Sequence, residues 1–234
     1  MFRKLMSSVA FALALVAGMA ATPAQATPIG LSLLIDGSGS ITTANFLIQK
    51  NGYFNALNSV LAADGSVAIE VYQFANNTEQ LVFGLTVIGS PAQKLALLTA
   101  LAGMSQLGGN TPTGTAIEKA VTDLKGFFGN TLPGRQIIDV STDGFGNSGT
   151  NESVAAANAV AAGVEQVNVL CIGSVANCTF NRGVGSFDIP ATFGNFQASL
   201  ETKLRRELAL VPEPGPLALL AIGLLTMVFA RRRA

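Results

Sequence analysis

The chain has 234 residues, with 14 Lys+Arg, 14 Asp+Glu, no His and two Cys. Charged residues make up 12% of the chain, about half of the share typical of soluble proteins, which argues against disorder and against nucleic-acid binding. A zinc site is not expected from two thiols without any His. The absence of His also excludes His-based acid–base or nucleophilic catalysis.

The balanced charge is unevenly distributed along the chain. Five basic residues lie at the ends: Arg3, Lys4, Arg231, Arg232 and Arg233. The region between them holds nine basic and fourteen acidic residues, a formal charge of −5. Such a surface repels nucleic acid and anionic lipid and tolerates divalent cations.

Residues 1–26 have the order of a secretory signal peptide. Two basic residues precede an apolar run over residues 9–21, and Ala24, Gln25 and Ala26 fit a small-x-small cleavage site. A buried N-terminal helix is the alternative interpretation. Because charge, apolar run and cleavage site occur in the expected order, we predict that the mature chain begins near Thr27.

Strand and helix patterns alternate over residues 27–210, which we predict to form one domain. Apolar or alternating runs predict strands at residues 29–35, 67–74, 81–88, 136–140 and 167–172. The short link between the second and third strands favours an antiparallel hairpin. Four apolar residues of the third strand are predicted to share one face: Leu81, Phe83, Leu85 and Val87.

Apolar residues at helical spacing predict five helices in the same region. They lie near residues 45–61, 91–103, 117–128, 153–163 and 193–208. Asn151 or Ser153 is the expected cap of the fourth helix. The alternation predicts an α/β fold with a doubly wound, mostly parallel sheet, one antiparallel edge strand and helices on both faces.

Three polar clusters follow or precede these elements, at residues 36–40, 108–114 and 141–144. In a doubly wound sheet, loops that leave the carboxyl ends of neighbouring strands lie at one edge. Each cluster alone is typical of a surface turn, but three in this order favour a common site. The clusters supply two carboxylates and three hydroxyls, and such oxygen donors suit Mg²⁺, Mn²⁺ or Ca²⁺.

The three clusters together resemble the metal-ion-dependent adhesion site of the von Willebrand factor A (VWA) family. The resemblance spans the central domain, and the stretch 135–143 is similar to a secreted bacterial branch of unknown function. It implies that five residues hold the ion: Asp36, Ser38, Ser40, Thr111 and Asp143. It also implies that a carboxylate of a protein or matrix partner completes the coordination of Mg²⁺, or of Mn²⁺ or Ca²⁺.

The C-terminal residues 211–234 have the order of a processing signal. Pro212, Pro214 and Pro216 cannot continue a helix, and an apolar run at residues 217–230 precedes the three arginines. This run has 14 residues, whereas a stable span needs ~20. Arginines at its end favour a cytoplasmic C-terminus, and a single-pass anchor is the alternative interpretation.

Pro212, Glu213 and Pro214, the short apolar run and the terminal arginines resemble the PEP-CTERM sorting signal of Gram-negative bacteria. That resemblance implies transient anchoring in the inner membrane and removal of the tail by an exosortase-type enzyme. It also implies a final location at the cell surface or in an extracellular, biofilm-type matrix.

Two further features of the domain carry predictions. Cys171 and Cys178 predict a short-loop disulfide, as expected in an exported protein. Two free thiols are the alternative, because spacing does not establish the geometry that a disulfide needs. Asp139 lies inside an apolar strand, where a partner Lys or Arg or a place near the sheet edge would account for it.

These observations favour a metal-dependent binding or adhesion module over an enzyme. A Mg²⁺-dependent hydrolase or phosphatase with Asp36 as nucleophile is one alternative. Against it, position 38 holds Ser rather than a second Asp, and no Gly-Lys-Ser/Thr phosphate-binding loop occurs. A structural matrix protein that does not use its metal site is the other alternative.

Overall fold

The computed structural model describes residues 27–173 and 178–209. The predicted signal peptide (1–26) and the predicted sorting signal (211–234) lie outside these residues. Among the helices of the described ranges, none combines the length and the apolar character that crossing a membrane requires.

The described residues form seven strands and five helices. The strands are β1 (Ile29–Asp36), β2 (Val67–Ala75), β3 (Thr78–Val87), β4 (Gln136–Thr142), β5 (Gln166–Ile172), β6 (Arg182–Gly183) and β7 (Asp188–Ala191). The helices are α1 (Thr43–Val60), α2 (Pro91–Ala102), α3 (Thr113–Phe128), α4 (Glu152–Ala161) and α5 (Phe196–Glu207).

The strands form one mixed sheet in the order β3-β2-β1-β4-β5-β6, and β7 pairs with β5. β1 is parallel to both of its neighbours, β2 and β4, and β5 is parallel to β4 and β7. β3 is antiparallel to β2, and the two-residue β6 is antiparallel to β5. The predicted mostly parallel sheet with an antiparallel edge strand is therefore confirmed.

Two apolar layers cover the two faces of this sheet. One lies under α1, α2 and α5 and includes Tyr53, Leu57, Leu97, Leu101, Phe196 and Leu200. The other lies under α3 and α4 and includes Ile117, Ala120, Leu124, Ala155, Ala156 and Ala159. All eight residues of β1 are buried, because a central parallel strand is covered on both faces and needs apolar residues in succession.

The hairpin between β2 and β3 is tighter than predicted. Ala75 pairs with Thr78, so only Asn76 and Asn77 form the turn. Both have positive φ angles, +52° and +55°, which asparagine tolerates better than most residues. The turn therefore replaces the six-residue link that hydrophobicity alone suggested.

The prediction that β3 has a single apolar face was wrong. The pairing register with β2 shifts on both sides of Val71, and such bulges reverse the alternation of side chains along a strand. As a result, Phe83 packs against the layer of α1 and Leu85 against the layer of α3. Leu81 is 54% exposed.

The region after β5 also differs from the prediction. β6 and β7 have two and four residues, which is too short for a periodic pattern to be visible in the sequence. α5 begins at Phe196, three residues later than the apolar spacing indicated. Of the two candidate caps of α4, Asn151 is the one that caps the helix, since its side chain accepts from the backbone N–H of Ser153 and of Val154.

Asp139 has a buried cationic partner. Lys203 on α5 places its Nζ 2.7 Å from Asp139 Oδ2 and 2.7 Å from Glu207 Oε1, and all three side chains are fully buried. The Asn168 amide on β5 also donates to Glu207 Oε1, at 2.9 Å. An ionic cluster thus lies between α5 and the sheet.

A disulfide joins Cys171, near the end of β5, to Cys178, and the two Cα atoms are 5.7 Å apart. Both cysteines are buried within the layer of α3 and α4. The bond therefore ties the chain that leaves β5 back to the core.

Candidate metal site

The first and third polar clusters meet because β1 and β4 are parallel neighbours. Ile35 on β1 lies opposite Ser141 on β4. Both strands run in the same direction, so Asp36 and Asp143 emerge at the same edge of the sheet. Ser40 and Asp143, 103 residues apart in the sequence, are in hydrogen-bond contact there.

Asp36 is fully buried and is held on both its carboxylate oxygens. The backbone N–H of Ser38 donates to Oδ1 at 2.8 Å, and the Thr142 hydroxyl donates to Oδ2 at 2.7 Å. The Gln49 amide on α1 donates to the main-chain carbonyl of Asp36 at 2.7 Å. These bonds fix the orientation of the carboxylate at the end of β1.

Two serine hydroxyls continue from Asp36 to Asp143. Ser38 Oγ lies 3.0 Å from Ser40 Oγ. Ser40 Oγ in turn donates to Asp143 Oδ1 at 2.7 Å. Four of the five predicted ligands are therefore linked by hydrogen bonds, Asp36 through the backbone N–H of Ser38 and the other three through their side-chain oxygens.

Thr111, the fifth predicted ligand, lies in a loop that packs against the Asp36 loop through its backbone. Gly108 N–H donates to Gly37 O at 2.8 Å, and Gly39 N–H donates to Gly109 O at 2.9 Å. Gly108 and Gly109 have φ angles of +73° and +86°, a backbone conformation that favours glycine.

The backbone of Thr111 is held by Asn147 in the loop after β4. Thr111 N–H donates to Asn147 Oδ1 at 2.8 Å, and Asn147 N–H donates to Thr111 O at 3.0 Å. Among the described residues, no hydrogen bond joins the Thr111 side chain to the other four predicted ligands. Thr111 is thus brought to the same edge of the sheet, through its main chain.

The negative charge of this edge has no basic partner. Burial raises the pKa of Asp36, and the nearby Asp143 carboxylate raises it further, whereas hydrogen bonds from Ser38 and Thr142 lower it. Neither aspartate takes part in any ion pair of the described residues. A bound divalent cation would supply the missing positive charge.

The oxygen donors at this edge suit a small divalent cation, although their present separations are those of ordinary hydrogen bonds. Metal–oxygen distances of about 2.0–2.1 Å, as in octahedral Mg²⁺ sites, place adjacent ligand oxygens about 2.8–3.0 Å apart. The oxygen pairs Ser38–Ser40 and Ser40–Asp143 are 3.0 and 2.7 Å apart. No cluster of three or more His, Cys, Asp or Glu in the described residues could hold a metal, so an ion here depends on hydroxyl ligands.

Sequence reasoning did not assign roles to Thr142, Gln49, Asn147 and Gln73, which support the site. Gln73 on β2 accepts from Leu107 N–H at 2.8 Å and donates to Ser105 O at 2.8 Å, so it holds the start of the Thr111 loop. Polar residues in otherwise apolar strands were the available signal for Thr142 and Gln73. No periodic pattern distinguishes Gln49 or Asn147.

The strand order, the helices on both faces and the polar loops at the carboxyl edge define a VWA-like α/β domain. The chain belongs to the family described as "Protein of unknown function (DUF1194)", whose profile matches residues 26–212. No curated protein sequence matches the chain.

Solved structures with the same fold share little sequence with this chain. Proximal thread matrix protein 1 (PTMP1) from the mussel byssus has a TM-score of 0.64 and 20% identity, over 78% of this chain and 47% of its own. Another structure of PTMP1 has a zinc-occupied MIDAS motif, with a TM-score of 0.60, 20% identity and coverages of 78% and 48%. The chain thus spans about half the length of PTMP1.

Two further structures with this fold come from other organisms. The pilus adhesin SpaC from Lactobacillus rhamnosus GG has a TM-score of 0.62 and 15% identity, over 79% of this chain and 30% of its own. Manganese-loaded TRAP protein from Plasmodium vivax has a TM-score of 0.55 and 21% identity, with coverages of 76% and 74%. At these identities the likeness establishes the fold.

Proposed function

We propose that this protein is an exported adhesion module that binds its partner through a divalent metal ion, with Mg²⁺ as the expected ion. The proposed ligands are Asp36, Ser38, Ser40, Thr111 and Asp143. The proposed partner is a protein or an extracellular matrix component that presents a carboxylate. The observation that carries the proposal is the hydrogen-bonded group that Asp36, Ser38, Ser40 and Asp143 form at one edge of the sheet.

Each residue of the group has a distinct part in binding. Asp36 is oriented by Thr142 and by the Ser38 N–H, so its carboxylate needs little reorganisation when an ion arrives. Ser38 and Ser40 offer neutral oxygens, which leave more positive charge on the ion than carboxylates do. When bound, the ion supplies an electrophilic position that an outside carboxylate can occupy.

The structural relatives support this proposal, but its main evidence is the arrangement of residues in this chain. The PTMP1 structure with a zinc-occupied MIDAS motif and the manganese-loaded TRAP structure associate this fold with divalent metals. SpaC associates it with adhesion. Because the zinc and manganese were found in different proteins, the choice of Mg²⁺ here rests on the oxygen donors.

We also propose the organisation of the whole chain that the sequence predicts. Residues 1–26 would direct export, residues 27–210 form the VWA-like domain, and residues 211–234 act as a PEP-CTERM sorting signal in a Gram-negative cell. An exosortase-type enzyme would then remove the tail, leaving the domain at the surface or in the matrix. Mass spectrometry of the native protein, with termini near Thr27 and near Pro212, would support this organisation.

Isothermal titration of the purified full chain tests the metal site. Mg²⁺ and Mn²⁺ should bind the native protein and should produce no measurable heat with Asp36→Ala or with the double variant Ser38→Ala, Ser40→Ala. Asp64→Ala is the matched control, because Asp64 precedes β2, at the opposite end of the sheet, and its carboxylate accepts hydrogen bonds from Ser66 rather than from any residue of the site. Equal binding by Asp36→Ala, with an unchanged melting temperature, would reject the site.

Capture of partners from the matrix of the producing cells tests the adhesive role. We expect retention in Mg²⁺, release in EDTA and no retention after amidation of the matrix carboxylates. Attachment that survives both EDTA and the double serine variant would favour a structural matrix protein instead. Phosphatase turnover that depends on Mg²⁺ and disappears in Asp36→Asn would favour the enzyme.

A further inference from the structure

A lysine, an asparagine and a glutamate meet in the core beneath α5. Lys203 Nζ and the side-chain nitrogen of Asn168 both lie within hydrogen-bond distance of Glu207 Oε1, at 2.7 and 2.9 Å. All three residues are fully buried. They supply the groups from which an amide between two side chains can form: a primary amine, a carboxamide and a carboxyl group that can relay protons. The proposed metal site uses none of them.

The pairing of β4 with β5 places Asn168 next to the second carboxylate of this ionic cluster. Asn168 is the direct partner of Asp139 in the parallel register, and the side chains of such a pair lie on the same face of the sheet. Lys203 Nζ contacts Asp139 Oδ2 at 2.7 Å. The amine of α5 is therefore held beside the carboxamide of β5, and the flexible four-carbon stem of lysine allows the remaining approach to the amide carbon.

The carboxamide of Asn168 is held at both its oxygen and its nitrogen. The oxygen accepts from the backbone N–H of Phe187 at 3.1 Å. The nitrogen donates to Gln166 Oε1 at 3.1 Å as well as to Glu207. A fixed N–H donor at a carbonyl oxygen stabilises the negative charge that develops there when a nucleophile attacks the carbon. The Asn168 amide is thus oriented and polarised for attack by an amine.

The surroundings of the cluster exclude water. Phe187 is 7% exposed, and its ring centroid lies 5.9 Å from Lys203 Nζ. The Arg206 guanidinium packs over the same ring, 3.7 Å from its centroid. Burial, and then the Asp139 carboxylate, raise the pKa of Glu207 to about 8, which favours transfer of a proton from the neighbouring ammonium to Glu207. The exclusion of water also keeps hydrolysis from competing with attack by the amine.

We propose that Lys203 and Asn168 form an intramolecular isopeptide bond that joins α5 covalently to β5. Glu207 takes one proton from Lys203 Nζ, and the neutral amine attacks Asn168 Cγ to form the new C–N bond. Asp139 accepts the second amine proton, and Glu207 delivers the first to the amide nitrogen. The bond between Cγ and that nitrogen then breaks and ammonia leaves, so no oxidant, reductant or co-reactant is needed. Until the bond forms, Lys203 remains the cation of the cluster.

Such a bond would change how the domain responds to force. Among the described residues, α5 is the last helix before the predicted sorting signal, and β5 pairs with β4, which leads to Asp143. Without the bond, α5 is held to the sheet by packing and by the buried ionic cluster. With it, tension on the chain beyond α5 would act on a covalent link to the sheet. The inference does not depend on whether the proposed metal site is occupied.

Mass spectrometry of the purified full chain tests the bond directly. After reduction and alkylation of the cysteines, the native protein should be lighter than its sequence requires by one molecule of ammonia. Trypsin cleaves after lysine and arginine, so peptides 136–182 and 183–205 should be recovered as one linked species, without cleavage after Lys203. A native protein of full mass, from which the two peptides separate, would overturn the proposal.

Three variants assign the bond to these residues. Lys203→Arg keeps the positive charge without a primary amine, and Glu207→Gln keeps the shape of the side chain without the proton relay, so both should have full mass. Lys94→Met is the matched control and should still lose ammonia, because Lys94 Nζ contacts the backbone carbonyls of Asn58 and Leu61. Loss of ammonia that persists in Lys203→Arg or in Glu207→Gln would contradict the proposed reaction. Should a variant fail to fold, the native linked peptide still decides.

Discussion

Thr142 donates its hydroxyl hydrogen to Asp36 Oδ2 at 2.7 Å and thereby joins the ends of the two central strands, β4 and β1. The same hydroxyl accepts from Gly144 N–H at 3.2 Å. Thr142, which precedes the proposed ligand Asp143 in the sequence, thus orients the proposed ligand Asp36. Groups that orient metal ligands commonly contribute ten- to hundredfold, as an order of magnitude, to metal affinity.

Thr142→Val tests this orientation, because it removes the hydroxyl and keeps the shape of the side chain. We expect Mg²⁺ affinity to fall at least about tenfold in isothermal titration. Thr142→Ser keeps the hydroxyl and is the matched control, with affinity close to that of the native protein. Equal affinity in Thr142→Val would show that the backbone alone positions Asp36.

Two glycines of the Asp36 loop should respond differently to alanine. A Cβ at Gly37 would lie 2.0 Å from Gln73 Oε1, whereas a Cβ at Gly39 would meet nothing closer than 3.4 Å. Gln73 holds Ser105 and Leu107, so its displacement disturbs the loop that leads to Thr111. Gly37→Ala should lower the free energy of unfolding by about 1–3 kcal/mol, as measured by urea denaturation.

Gly39→Ala serves as the control for that substitution, because the same methyl group is added two residues away. Its effect on unfolding should stay within about 0.5 kcal/mol. A larger loss for Gly39→Ala than for Gly37→Ala would contradict the proposed role of Gln73.

The buried ionic cluster makes Lys203 important for stability. Burial raises the pKa of Glu207 above its usual value, and Asp139 raises it further, whereas Lys203 lowers it. Lys203→Met would leave two neighbouring carboxylates buried without a cation, a change that typically costs about 3–5 kcal/mol. Arg205→Met, two residues along the same helix and exposed, should cost far less in the same denaturation experiment.

The environment of Glu70 predicts that the free energy of unfolding depends on pH. The pKa of Glu70 is raised from 4.5 to about 7, chiefly by burial and also by the Asp123 carboxylate, against the opposing effects of Ser32 and Lys119. The folded state therefore binds this proton more tightly than the unfolded state. The contribution is complete below pH 4.5 and is lost as the pH rises through about 7.

Glu70→Gln removes this dependence. Between pH 5 and pH 8 the free energy of unfolding of the native protein should fall by roughly 2.5 kcal/mol more than that of the variant, because the Glu70 pKa is about 7 in the folded state and 4.5 in the unfolded state. Asp188→Asn, at an exposed acidic position, should follow the native protein. A variant that loses as much stability as the native protein over this interval would show that Glu70 titrates normally in the fold.

The central strands could be predicted because burial on both faces leaves a continuous apolar run. β1 and β5 follow this rule apart from one polar residue inside each, Ser32 and Asn168, and the polar clusters at the ends of β1 and β4 meet as parallel pairing requires. The bulges of β3 could not be predicted, since they arise from how Ile69 and Val71 pair across the hairpin. Such pairing depends on the partner strand, so it leaves no periodic pattern of apolar residues in the sequence of either strand.

The candidate site shows the same division. Asp36, Ser38 and Ser40 carry a readable spacing because they occupy every second position of one short loop. The roles of Gln49 and Asn147 depend on contacts between loops and helices that are distant in the sequence. Lys203, the partner that Asp139 required, lies on α5, and nothing local to Asp139 indicated which basic residue it would be.

The bond between Cys171 and Cys178 ties the protein's covalent state to its location. Cytosolic reductants keep cysteine thiols reduced, whereas oxidising compartments let disulfide bonds persist. If the chain is exported as proposed, it would carry two free sulfhydryls before export, and the disulfide would form only afterwards. Thiol alkylation of the protein recovered from each cellular fraction would show in which compartment the disulfide forms.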